Sequence, residues 1–172
     1  MESIPETFQM IRRRHFKLEY KHNVYDIVCP EYTSPAKDIV LVIPDYLIPR
    51  RKYPLYIYLY AINLYCSNSN MGQREAARLT RRKFDLATFS HTTLGRALIA
   101  LGASIAKAKK IPIEQIKEQP SPYRFPTVND TAILRKLIAS FLRKYDVSDE
   151  EIINASSMIM AHWYDKYRRL II

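Results

Sequence analysis

Three glycines in 172 residues narrow the choices for this chain more than any other feature. Gly72, Gly95 and Gly102 stand far apart. Loops that cradle a nucleotide phosphate need two or three glycines within a few positions, so P-loop and dinucleotide-binding folds are excluded. Two cysteines, Cys29 and Cys66, make neither a disulfide framework nor a four-cysteine zinc site. A composition of 48 % hydrophobic and 26 % charged residues is that of an ordinary globular protein, in one domain or two small ones.

The charge is unevenly placed. Lys and Arg number 27 against 17 Asp and Glu, a formal net charge of +10. Between Met71 and Lys110 lie Arg74, Arg78, Arg81, Arg82, Lys83, Arg96, Lys107, Lys109 and Lys110 against only Glu75 and Asp85, a surplus of seven. Concentrated positive charge favours a polyanionic partner through counterion release. The opening residues, MESIPETFQMIRRRHF, lack the apolar core of a signal peptide. The longest apolar stretch, Pro54–Cys66, is too short and too rich in tyrosine to span a bilayer. No membrane role and a cytoplasmic location are therefore expected.

Patterning predicts a mainly α fold. About five helices form a helix-turn-helix core, preceded by a short N-terminal β-hairpin or three-stranded element. Phe16, Leu18 and Tyr20 alternate with polar residues, and after His22-Asn23 a second run, Val24–Val28, completes a hairpin. Ile39–Ile43 is β-branched and bounded by prolines, as a third strand would be. Residues 44–54, with the basic cluster Arg50-Arg51-Lys52, form an irregular connector. Pro54–Cys66 fits strand or helix, and its length together with Pro54 at the start favours helix. Helices are then expected over Gly72–Lys83, Ser90–Lys110, Thr127–Tyr145 and Ser148 to Leu170, the last opened by the capping-box spacing of Ser148 and Glu151. Three parts result: a β or irregular subdomain over 1–53, a helix-turn-helix region over 54–118, and a helical hairpin over 119–172 beginning with the proline-rich 119–126.

The helix-turn-helix reading rests on chemistry. A first helix crosses the backbone, an apolar turn holds the angle, and a second helix offers short polar residues at its N-terminal end. Ala76 and Leu79 would face inward, small Ala76 and Ala77 permit close approach, and Phe84, Leu86 and Phe89 anchor the connection. Ser90 is a good N-cap. Leu94, Ala97, Leu98 and Leu101 repeat at helical spacing, leaving His91, Thr92, Gly95 and Arg96 outward and Thr93 on the boundary; with the cap residue Ser90 these are the candidate DNA contacts of the second helix. Arg96 suits guanine or phosphate, and a glycine at 95 suits a close approach to DNA. Arg74, Arg78, Arg81, Arg82 and Lys83 would contact phosphates of double-stranded DNA.

The string from Gly72 to Arg78, followed by that from Lys83 to Leu98, resembles the N-terminal DNA-binding region of bacterial insertion-sequence transposases. Val40–Tyr53 is similar to the segment that precedes the helix-turn-helix there. In that family a zinc ribbon of Cys-x-x-Cys pairs commonly comes first. Here Cys29-Pro-Glu-Tyr32 keeps one cysteine, so the resemblance implies a degenerate, metal-free ribbon and a transposase-derived regulator or transposition accessory.

Other chemistries fit less well. His15, His22, Cys29, Cys66, His91 and His162 show no metal-ligand spacing, so neither metal nor cofactor is expected. Asp130, Asp146, Asp149, Glu150, Glu151 and Asp165 fall in a helical region, not on the sheet a two-metal nuclease core needs. Ser90-His91 has no nucleophile elbow. The chain is read as non-catalytic. A second reading makes it an interaction or dimerisation module, acting through the apolar face of its last helix: Ile152, Ile153, Ser156, Ile159, Met160, Trp163, Tyr167 and Leu170.

Overall fold

The computed structural model describes residues 7–44, 46–48, 51–110, 132–145, 147–148 and 150–167. Five helices share a core beside a three-stranded antiparallel sheet of order β1-β2-β3. The fold is thus mixed α/β with a helical core, and the N-terminal element is not short. Strand β1 spans Gln9–Tyr20 and β2 spans Asn23–Thr33, each about twice the length that apolar alternation marks out. The alternation does continue, but in charge. On the inner face Leu18 and Cys29 pack with Leu47, while farther along Arg12 and Arg14 turn to the buried carboxylate of Glu31. Arg12 Nε donates to Glu31 Oε1 at 2.8 Å, and the Arg14 guanidinium pairs with the other oxygen. A run of arginines therefore reads as strand only when its buried acid is known.

The hairpin turn is Lys21-His22, one residue before the expected position. Both residues have positive φ, 47° and 59°, the left-handed pair that suits the twist of a two-residue hairpin. Asn23 Nδ2 donates to the Lys21 carbonyl at 3.0 Å, which steadies a turn made without glycine. Strand β3, Ile39–Leu41, pairs with residues 31–33 of β2.

Helix α1, Leu55–Ser67, is the centre of the molecule, and all four other helices pack on it. Leu55, Ile57, Tyr58, Leu59, Ala61, Ile62 and Tyr65 are buried around its circumference. An element buried on every side shows no polar face, which is why its pattern fitted strand as well as helix and only its length and Pro54 favoured helix. Around it stand α2 (Gln73–Lys83), α3 (His91–Ala108), α4 (Ala132–Leu142) and α5 (Ile152–Tyr167). Leu134, Ile138 and Phe141 of α4 and Ile152, Ile159 and Trp163 of α5 belong to the same core as α1 to α3. Of the expected apolar face of α5, Ile152, Ser156, Ile159, Met160 and Trp163 are buried within the chain and Ile153 is exposed. Residues 119–126, Thr127 and Leu170 lie outside the described residues.

Among the described residues, no helix is long and apolar enough to cross a membrane.

Candidate nucleic-acid interface

Helix α2, with Gly72 at its N-cap, buries Ala76, Ala77 and Thr80; Leu79, expected inward, is half-buried at the margin. Thr80 returns its hydroxyl to the Ala76 carbonyl at 2.8 Å, so a polar residue fits the close approach to α1. Helical geometry puts Arg74, Arg78, Arg81 and Arg82 on the opposite face, where all four are exposed, as is Lys83. Arg78 is committed within the helix. Its Nε and a terminal nitrogen hold both oxygens of Glu75, at 2.9 and 2.7 Å. That bond holds the Glu75 carboxyl below its ordinary value and raises Arg78. Arg74, Arg81 and Arg82 make no ion pair among the described residues.

The connection between α2 and α3 runs over seven residues, Phe84–Ser90, longer than the compact turn of three or four. Its anchors are those the sequence marks. Leu86 and Phe89 are buried, and Phe84 packs edge-on against Tyr60 with ring centres 5.1 Å apart. Asp85 takes positive φ, 48°, and its Oδ1 meets Nε2 of His22 at 2.9 Å, joining the hairpin tip to this loop. Thr88 Oγ1 receives the Lys52 ammonium at 2.7 Å and lies 2.9 Å from the Tyr53 hydroxyl. Lys52 also pairs with the buried carboxylate of Glu19, a bond that raises its basicity. The loop is therefore braced by the sheet and the 51–53 segment, a long-range arrangement that sequence spacing does not reveal.

Ser90 caps α3 as expected, accepting the Thr93 N–H at 3.1 Å. Its Oγ also lies 3.0 Å from Thr93 Oγ1. Ser90 and Thr93 are thereby occupied in the cap. Leu94, Ala97, Leu98 and Leu101 are fully buried. His91, Thr92 and Arg96 are exposed on the first turn and a half.

Gly95 is half-buried, and a Cβ there would meet Gln73 Oε1 at 3.0 Å, so one side of it faces the start of α2.

The exposed groups brought together are thus Arg74, Arg81, Arg82, Lys83, His91, Thr92 and Arg96, with nearby Glu75 and Asp85 already paired. Sequence reasoning missed the hairpin's part. Lys17, Lys21, Arg51 and Lys52 extend the basic surface past the α2–α3 loop. The Arg50-Arg51-Lys52 cluster signalled charge without showing where it sits.

Among the described residues, no three His, Cys, Asp or Glu side chains converge. Cys29 is buried against Leu18 and Leu47, and burial pushes its thiol up. No protein-family model matches the chain, and neither does any curated protein or solved structure.

Proposed function

We propose that this chain is a cytoplasmic, non-catalytic protein that binds double-stranded DNA. In this reading α2 lies along the phosphate backbone and the first turns of α3 enter the major groove. The observation that carries it is the outward face of α2. Three arginines stand there without an acidic partner among the described residues, beside a second helix whose first turn and a half exposes His91, Thr92 and Arg96. Arg74, Arg81 and Arg82 supply sequence-independent phosphate contacts. His91, Thr92 and Arg96 reach base edges, with Arg96 suited to guanine. Ser90, Thr93 and Gly95 fix the helix that presents them. The resemblance of residues 29–101 to insertion-sequence transposases makes a transposase-derived regulator or transposition accessory the natural setting, and the reading assigns no reaction to the chain.

The test compares two arginines. Duplexes selected from a random pool and an unselected duplex are titrated with Arg96→Ala and Arg82→Ala. Arg96→Ala should weaken the selected site by about 1–3 kcal/mol and leave the unselected duplex nearly unchanged. Arg82→Ala should weaken both and reduce the salt slope by about one. Equal effects from the two would place recognition elsewhere.

A further inference from the structure

A cleft of about 420 Å3 lies along the outer edge of β1, lined by His15, Phe16, Lys17, Arg51 and Lys52. Four of its five lining residues are basic types and none is acidic. Strand β1 is an edge of the sheet, so alternate N–H groups face away from β2. Glu19 directs its outward N–H to the Lys52 carbonyl at 2.7 Å. Alternation turns the N–H of Lys17 toward the same edge, where no backbone partner meets it among the described residues. The cleft thus combines one outward main-chain donor with the Lys17 ammonium and the Arg51 guanidinium. Neither side chain is in an ion pair among the described residues.

The neighbouring carboxylates are already committed. Glu19 holds Lys52, and Asp26 Oδ2 meets Nδ1 of His15 at 2.7 Å, leaving Nε2 of that ring without a bond among the described residues. The cleft is also tied to the helices, because Lys52 lines it while donating to Thr88, two residues before the cap of α3. A second copy of the chain is a poor occupant. Pairing β1 with itself would set Arg13 and Lys17 against their own kind.

We propose that this cleft is a phosphate-binding site, which seats one backbone phosphodiester of the same duplex that α2 and α3 engage. Lys17 and Arg51 neutralise the charge, the Lys17 N–H supplies a fixed donor, and His15 Nε2 adds a further contact. The inference rests on the DNA-binding reading, and it makes the β-hairpin a second arm of that interface.

The experiment uses the full chain and a short labelled duplex, with affinity measured by fluorescence anisotropy across a salt series. Variants are the pair Lys17→Gln/Arg51→Gln, the pair Arg81→Gln/Arg82→Gln, and the conservative pair Lys17→Arg/Arg51→Lys. The first should reduce the salt slope by about one, the equivalent of one phosphate, and the conservative pair should restore it. An unchanged slope in the Gln pair, with a flattened one in the α2 pair, overturns the cleft and leaves the helices in place. The reverse pattern supports the cleft and removes α2 from the interface. No duplex binding by the unmodified chain overturns both. An extended poly-glutamate peptide is titrated in parallel. Loss of peptide binding in the Gln pair without any change in DNA slope would make β1 a peptide-pairing edge and overturn the proposal.

Discussion

Gly102 and Gly95 are interchangeable on paper, each a single glycine inside α3, yet their surroundings assign them opposite responses to alanine. A Cβ at Gly102 would collide with Leu134 Cδ1 and touch Ile138 Cδ1 at 3.5 Å, both in the fully buried contact of α3 with α4. Overpacking a core of this kind outweighs the helix propensity that alanine brings, so Gly102→Ala should lower unfolding free energy by about 1–2 kcal/mol. Gly95→Ala meets only the end of the Gln73 side chain, which can swing aside. It should gain up to about 1 kcal/mol and keep DNA affinity unchanged. Denaturant midpoints and one duplex titration check both expectations. Loss of DNA binding in Gly95→Ala with stability intact would return that residue to the interface. Residue-scale packing of this sort was not legible in the sequence, because the partner of a glycine lies on another helix. The N-cap at Ser90 was legible, since its partner is three residues away.

At the scale of elements, the helices declared themselves where they are amphipathic, as in α2 and α3. Helix α1 was ambiguous because it has no solvent face, and the hairpin was underestimated because half of it is held together by charge. Glu31 is the hinge of that second half. Burial alone would push its carboxyl up, but the bonds from Arg14 and Arg12 outweigh that effect and hold it below its ordinary value of 4.5. A carboxyl with a lowered native value stabilises the fold fully above its unfolded value, and that support disappears as pH falls through the native one. The hairpin should therefore lose stability as pH drops below about 4.5, the carboxyl's ordinary value. Glu31→Gln should melt earlier at neutral pH and show a shallower dependence on acid. Thermal melts followed from neutral to acid pH make the comparison. An identical acid dependence in the variant would show that Glu31 does not hold the strands together.

Over the whole molecule, α1 gathers four helices into one core, and the sheet is fastened to them at three places: Tyr20 against Tyr56, Glu19 with Lys52, and His22 with Asp85. The second and third of these fall beside the α2–α3 loop, so they bring the hairpin next to the basic helices. The sequence located seven of the ten surplus charges on 71–110 but not their neighbours from the hairpin, since strand-to-helix contacts separated by more than 60 residues leave no local trace. The most direct test of the account is the affinity of the full chain for a random duplex as a function of salt. With Arg74, Arg81, Arg82 and the β1 cleft each neutralising one phosphate, the logarithm of the binding constant should fall linearly with that of salt, with a slope of about −3 to −4. Absent binding, or binding indifferent to salt, would contradict it.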